Sequence, residues 1–176
     1  MTLPELDRRQ CSGRARQTGL SWLEFSVVAA VLAAIVGSLL TALLYYEELA
    51  EAAVVQLTVR NIRSGLRYQI ADRLVQGRTS EMAQLLRENP VAWLERPPDG
   101  YVGTVRAADA ESLPQGSWFF DVERDEVGYV PRHSVYLGVE SGGLTILRWR
   151  VEALRMPSPW ETEGLMLVTV TPYRWF

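Results

Sequence analysis

Lysine is absent from this chain, and all 18 basic side chains among its 176 residues are arginines. A phosphate-binding loop of the Walker type and a Schiff-base active site both need a lysine, so these two kinds of site are excluded. Cys11 is the only cysteine and His133 the only histidine. The chain therefore has no disulfide and lacks the Cys/His set of a structural zinc site. We expect a fold held together by packing, with no metal and no cofactor.

Charge is missing from a long segment near the N-terminus. Residues 25–46 are 22 consecutive positions without a charged residue or a proline, which exceeds the ~20 residues that cross the hydrocarbon core of a bilayer. Residues 1–19 carry a net charge of plus two; subtracting this from the whole-chain minus three leaves minus five for residues 20–176. Arginines before the apolar run and acids after it predict a cytoplasmic N-terminus and an exported remainder. The acidic remainder argues against nucleic acid as a partner.

Glu24 is the one charged residue between Arg16 and Glu47. A secretory signal fits the basic start, but its apolar region spans only roughly 7 to 15 residues. A plain membrane anchor fits the length, yet it does not explain a carboxylate that costs roughly 2.5 to 3.5 kcal/mol at the centre of a membrane helix and less near its end. A cut after Gly19 supplies an explanation, because the new α-amino group of Leu20 lies four residues before Glu24 on the same helix face.

The segment Gly19-Leu20-Ser21-Trp22-Leu23-Glu24, followed by the uncharged run, resembles the cleavage and methylation signal of type IV pilins and type II secretion pseudopilins. The resemblance implies cleavage after Gly19 by a prepilin peptidase and N-methylation of Leu20. It also implies that Glu24 guides assembly by pairing with the terminal amine of an adjacent subunit. The helix-bending proline and the C-terminal cysteines of many major pilins are missing, which favours a minor pilin or pseudopilin.

The same resemblance implies a location and a set of partners. The protein is expected in the bacterial inner membrane, with a single pass, a cytoplasmic N-terminus and a periplasmic head, and then in a pilus or pseudopilus. The implied partners are the prepilin peptidase, other pilin or pseudopilin subunits, the inner-membrane assembly platform with its ATPase, and membrane lipid. No enzymatic activity is implied.

The rest of the chain predicts an α+β fold in which a long N-terminal helix packs on a small antiparallel sheet. We divide the chain into a leader (1–19), a transmembrane or filament-core half of the helix (20–46), an amphipathic half (47–76) and a head (77–176). Gly77 is the expected C-cap. Apolar residues at steps of three and four predict the packed face of the second half: Val55, Val59, Ile62, Leu66, Ile70 and Leu74.

Period-two patterns after residue 100 predict the strands of the head. A further short helix is expected at Glu81–Glu88. Gly116–Arg132 is similar to the aromatic hairpin of pilin heads of the mannose-sensitive haemagglutinin and secretion types. Ser141–Gly143 predicts a hairpin turn between the third and fourth strands. The expected strands are Ser117–Val122, Val127–Val130, Val135–Glu140, Leu144–Leu154 and Leu165–Thr171.

Three groups of head residues are candidates for a site. His133 is interpreted as a loop histidine, because neither Ser134 nor Ser141 lies in a nucleophile-elbow pattern. The acids of Asp121–Glu126 do not match the EF-hand spacing, so a solvated hairpin tip is favoured over a calcium site. The aromatic residues of the strands are expected in the core. Trp175 and Phe176 form an aromatic terminus that we interpret as an edge contact to the next subunit.

The sequence thus predicts a filament subunit, and two other classes of function stay open. One is a bitopic membrane protein whose head is a sensor or binding module. The other is a soluble domain released by a cut near Ala52. The bitopic protein predicts no cut at Gly19 and tolerance of Glu24→Ala, and the released domain predicts a product that lacks the apolar helix.

Overall fold

The computed structural model describes residues 21–107, 109–139, 146–154 and 164–176. It contains one long helix, short 3-10 helices at Thr79–Leu86, Pro90–Trp93 and Ala110–Ser112, and seven strands in these residues. The helix is α1 (Trp22–Val75), and the strands are β1 (Tyr101–Val105), β2 (Trp118–Asp121), β3 (Glu126–Tyr129), β4 (Leu137–Val139), β5 (Leu147–Leu154), β6 (Gly164–Thr169) and β7 (Tyr173–Trp175). One long N-terminal helix with a sheet of several strands confirms the predicted α+β layout.

The main sheet is mixed, whereas the sequence analysis predicted an antiparallel one. Its strand order is β1-β2-β3-β5-β6. The pair β1–β2 is parallel, and the other three pairs are antiparallel. The reason lies in the connections. A short turn between β2 and β3 reverses the direction of the chain, so these strands are antiparallel. The longer segment between β1 and β2 is a crossover, after which β2 runs in the same direction as β1.

The predicted hairpin between the third and fourth sequence-derived strands is wrong. Strand β4 pairs with β7 in a separate two-stranded sheet, with Leu137 opposite Trp175. Strand β5 has β3 on one edge and β6 on the other. Both of its edges are therefore occupied, and none remains for β4. The predicted turn at Ser141–Gly143 lies outside the described residues.

The chain divides into two compact units, Met1–Ala42 and Leu43–Phe176. In the described part of the first unit, every residue of α1 is exposed. The helix is long and apolar enough to cross a membrane, as judged by length and composition, and its most apolar window has no buried residue. The structure thus agrees with the predicted apolar helix as far as span length is concerned.

The core of the second unit lies between α1 and the main sheet. Val55, Val59, Ile62 and Leu66 are buried, as the helical periodicity predicts. The predicted packed face extends too far, because its last residue, Leu74, is 52% exposed. The sheet contributes aromatic and branched side chains to the same cluster: Trp118, Phe120, Val127, Tyr129, Trp149, Val151 and Leu167.

The end of α1 follows the predicted C-cap. Gly77 has a φ of +71°, and its N–H donates to the Leu74 carbonyl at 3.1 Å. The Arg78 N–H donates to the Arg73 carbonyl at 2.8 Å, which completes a Schellman motif. Arg73, which does not belong to the apolar repeat, is nevertheless buried, and its guanidinium lies 2.7 Å from the Glu88 carboxylate. The predicted helix Glu81–Glu88 is observed as the 3-10 helix Thr79–Leu86.

Candidate functional site

The start of α1 is built around Glu24. Its Oε2 accepts a hydrogen bond from the Ser21 N–H at 2.9 Å, and the Phe25 N–H donates to the Ser21 carbonyl at 2.9 Å. Ser21 and Glu24 thus occupy the N-cap and N3 positions of a capping-box pattern, and the glutamate half of the reciprocal bond is formed. This role was missed in the sequence analysis, although Ser-x-x-Glu before an apolar run is its known signature. Gly19 and Leu20 lie outside the described residues.

The geometry leaves Glu24 able to serve a second partner. In the described residues only Oε2 accepts a hydrogen bond, and Glu24 is exposed. A carboxylate in the first turn also interacts favourably with the positive end of the helix dipole. One oxygen thus satisfies the helix end, and among the described residues the other accepts no hydrogen bond.

The surface of α1 that follows Glu24 is apolar on all sides. Large side chains from Trp22 to Tyr46 are each at least 38% exposed, and Trp22 is 90% exposed. A helix that is hydrophobic all round belongs in an apolar environment, either lipid or other helices. Ala33 and Gly37 are four residues apart on this surface, a spacing that allows close approach of a second helix. Residues 25–44 therefore present an apolar helical surface that suits lipid or other helices.

Glu48 follows the apolar run and is buried, with 2% exposure. Its Oε1 accepts the Tyr136 N–H at 2.8 Å and the Trp175 Nε1–H at 3.1 Å. The carboxylate thereby fixes the strand β7 and the segment before β4 to α1. From the sequence, Glu48 was considered only as one of the acids after the apolar run, which predict the orientation in the membrane. Its position in the i, i+4 series with Ala52 and Val55 was the available signal of burial.

Glu51 fixes a second segment to the helix. Its Oε1 accepts the Tyr129 hydroxyl at 2.7 Å and the Arg132 N–H at 2.6 Å. Its Oε2 accepts the His133 N–H at 3.1 Å and lies 3.0 Å from His133 Nδ1. Burial and then the hydrogen bond to Glu51 raise the pKa of Tyr129 well above its ordinary value. Tyr129 is therefore a stable hydrogen-bond donor at neutral pH.

His133 belongs to this carboxylate cluster. Its ring lies 3.0 Å from Glu51 and 4.0 Å from Glu47, and its side chain is 38% exposed. Both neighbours are acids, so the geometry around the ring is that of a hydrogen-bonded loop histidine, as predicted. The described residues contain no group of three or more His, Cys, Asp or Glu side chains arranged to hold a metal ion.

The acidic hairpin is solvated at its tip, where Glu123 is exposed and Asp125 half-buried, but the acids at its two ends are not. Asp121 is fully buried and Glu126 is 4% exposed. Arg148 Nη1 lies 3.1 Å from Asp121 Oδ2 and 3.3 Å from Glu126 Oε2. The backbone N–H groups of Glu123 and Arg124 donate to Asp121 Oδ1. Arg148 of β5 thus pairs with both carboxylates, and Arg150 Nη1 of the same strand lies 3.5 Å from Glu126 Oε1. Sequence spacing does not reveal these pairs.

The aromatic terminus is divided between core and surface. Trp175 is 8% exposed and packs in the main core, so its predicted role as an exposed contact is wrong. Phe176 is 42% exposed and stacks on Tyr136 at a centroid distance of 5.2 Å. Trp175 is buried because β7 pairs with β4 and its indole N–H reaches Glu48.

Comparisons of the chain with family models, with curated proteins and with solved structures returned no match. Two features of the described residues lack an internal explanation. One is the uncharged surface of α1 from Phe25 to Leu44, in which every residue is exposed; the next residue, Tyr45, contacts the rings of Tyr136 and Phe176. The other is Glu24, whose carboxylate precedes that surface with one oxygen engaged by the helix end.

Proposed function

We propose that this chain is a minor pilin or pseudopilin, a structural subunit of a type IV pilus or a type II secretion filament. The observation that supports the proposal is the combination at the start of α1. The first part of α1, residues 22–44, is apolar and exposed throughout and contains a single charged residue, Glu24, in the first turn. A free-standing surface of this kind is unfavourable in water, so the helix needs lipid before assembly and other helices afterwards.

The leader prepares the helix for assembly. Its arginines hold the N-terminus in the cytoplasm, and the peptidase cuts after Gly19 and methylates Leu20. The new cationic amine then lies beside the first turn of a helix in a low-dielectric environment. Glu24 of an adjacent subunit neutralises this amine while one of its oxygens caps its own helix. Burying either charge without its partner carries a desolvation free energy, so the paired arrangement is favoured.

The head has a separate task in this proposal. It stays on the periplasmic side of the inner membrane until extrusion and then forms the filament surface. Its partners are the inner-membrane assembly platform and other pilin or pseudopilin subunits. The acidic balance of residues 20–176 is compatible with an exported surface and unfavourable for nucleic acid.

The first experiment is the intact mass and N-terminal sequence of the membrane-extracted protein, with and without the host prepilin peptidase. We expect a chain that starts at N-methylated Leu20 only when the peptidase is present. An uncut chain in the presence of active peptidase would contradict the proposal and indicate a bitopic membrane protein. A chain that starts at Ala53 would indicate a released domain. That cut is disfavoured, because Ala52 is 3% exposed within the packed face of α1.

Two variants of Glu24 separate its two roles. Glu24→Gln keeps an oxygen that accepts the Ser21 N–H but removes the charge, whereas Glu24→Ala removes both. We expect normal processing and loss of assembly into sheared filament for both variants, because the charge pairs with the neighbouring amine. Assembly by Glu24→Gln at the level of the unaltered protein would show that the carboxylate only caps the helix.

A further inference from the structure

The second unit has a basic groove on one flank of α1. The groove has a volume of about 560 Å³ and is lined by Arg60 and Arg63 from the helix and by Tyr173 and Arg174 from the β7 region. No acidic residue lines it, and among the described residues none of its three arginines has a carboxylate within salt-bridge distance. Burial raises the pKa of the Tyr173 phenol, and the charge of Arg63 opposes that rise, which agrees with their proximity.

An acidic pocket lies on another flank of the same helix. It has a volume of about 520 Å³, and its acidic lining residues are Glu47, Glu51 and Asp99. Arg132, an exposed and positively charged residue, and His133 also line it, and the backbone N–H groups of both donate to Glu51. Three carboxylates and one guanidinium leave the lining with a net negative charge. Glu51 is thus engaged inside the unit, while Glu47 has a 49% exposed side chain and Asp99 is exposed. These last two carboxylates give the pocket its accessible negative charge.

The two surfaces lie on opposite flanks of α1. Gln56 lines the basic groove and is nine residues beyond Glu47, which lines the acidic pocket; Arg63 is likewise nine residues beyond Val54. Nine residues at about 100° each amount to two and a half turns, so the flanks point about 180° apart. The same nine residues separate the two surfaces by about 13 Å along the helix axis.

A surface and its complement on opposite flanks favour a head-to-tail contact between copies of one chain. A two-fold symmetric contact places each surface on its own equivalent, so that arginine faces arginine. A heterologous contact places the basic groove on the acidic pocket of the next copy and continues without closing. The charges then complement each other at every step.

We propose that the basic groove binds the acidic pocket of a second copy of this chain, with Arg63 and Arg60 facing the carboxylates of Glu47 and Asp99. The contact rests on the proposed filament function. It specifies how neighbouring head domains are offset in the filament, by about 13 Å along α1 per subunit. Arginine forms charge-assisted, bidentate hydrogen bonds to carboxylates. The contact is at the surface, so salt weakens it.

The absence of lysine provides a specific probe. Arg63→Lys keeps the positive charge and introduces the only side-chain amine in the chain. A zero-length carbodiimide cross-linker then joins this amine only to a carboxylate that contacts it. The full-length variant is prepared in membranes and in detergent as a mixture of ¹⁴N- and ¹⁵N-labelled protein, and cross-linked peptides are identified by mass spectrometry. Mixed-isotope peptides distinguish links between copies from links within one copy.

We expect mixed-isotope peptides that join position 63 to Glu47 or Asp99. Their yield should fall in about 0.5 M salt, because salt screens the attraction between the exposed charges. Mixed-isotope links to other carboxylates, links only within one copy, or links only to a different protein would overturn the proposal. Arg87→Lys is the matched control, since Arg87 is exposed and lines neither surface. It should yield no link to either acid.

A charge exchange tests the same contact by its energy. Arg63→Glu and Glu47→Arg should each lower the yield of dimer about fivefold, which corresponds to a loss of ~1 kcal/mol in the free energy of association. The double variant restores opposite charges across the contact and should recover most of that loss. Arg87→Glu changes the net charge as Arg63→Glu does and should leave the yield unchanged. Equal losses for Arg63→Glu and Arg87→Glu, or no recovery in the double variant, would refute the contact.

The outcome is separable from that of the filament proposal. The N-terminus of every sample is sequenced in parallel, so cleavage after Gly19 is recorded independently of the cross-link. A cross-link in an uncut chain would support the head contact and reject pilin-type processing. A processed chain without the cross-link would retain the filament function and reject this register.

Discussion

Three glutamates of α1 show how one residue type takes different roles on one helix. Glu24 is exposed at the first turn and caps it. Glu48 is buried and accepts two N–H donors from distant segments. Glu51 is nearly buried and accepts four donors around one carboxylate. The difference follows from what faces each position, since only the last two lie on the side of α1 that packs on the sheet.

At the residue scale, we predict that Glu48→Ala destabilises the second unit by about 2 to 3 kcal/mol, because it leaves the buried Trp175 indole N–H and the partly buried Tyr136 N–H without their acceptor. Glu48→Gln keeps an acceptor oxygen and should cost about 1 kcal/mol. The measurement is urea unfolding followed by tryptophan fluorescence. Equal stabilities of the alanine variant and the unaltered protein would contradict the role of Glu48.

The β2–β3 hairpin packs on both of its faces. Trp118 and Phe120 point to the core beneath α1, and Phe119 lies in a second apolar cluster with Ala110 and Ile146. Gly128 is directly opposite Phe119, and a Cβ at this glycine would overlap the phenyl ring. Because Gly128 has no side chain, the phenyl ring of Phe119 can lie directly over β3.

At the element scale, we predict that Gly128→Ala destabilises the hairpin by about 1 to 3 kcal/mol, since the buried ring must move to admit a methyl group. The same change in a Phe119→Leu background should cost less, because the smaller side chain leaves room. Thermal unfolding of the four proteins of this double-mutant cycle measures the coupling. Additive effects would show that the ring and the glycine do not constrain each other.

The two compact units differ in where their apolar side chains lie. No described residue before Glu48 is buried, and the apolar core of the described residues comes entirely from positions after it. Residues 43–176 therefore contain a core of their own, whereas the described apolar residues before them are exposed.

At the scale of the whole molecule, we predict that a fragment of residues 43–176 folds cooperatively and stays soluble without detergent. The full-length chain should require detergent or membrane, because its uncharged helical surface remains exposed in water. Near-ultraviolet circular dichroism and sedimentation of both proteins check this. A fragment that lacks fixed tertiary structure would show that the core depends on the preceding helix.

Local patterns in the sequence predicted the helix, its C-cap and most strands. The apolar repeat Val55, Val59, Ile62 and Leu66 marks the packed face, since i, i+3 and i+4 positions share one side of a helix. Gly77 marks the helix end because a glycine adopts positive φ without strain. The prediction of Glu24 as an assembly residue came from a resemblance, and it stays a prediction.

Only the tertiary structure decided how distant segments pair. The parallel β1–β2 pair, the β4–β7 sheet and the burial of Asp121 against Arg148 depend on residues far apart in the chain. A period of two indicates a strand but carries no information about which edge it will meet. Likewise, Arg174 and Asp99 join the charged residues on the two flanks of α1 only because β7 and the loop before β1 fold against the helix. The uncharged run was determined by the sequence itself, because length and absence of charge are properties of a segment and need no neighbour.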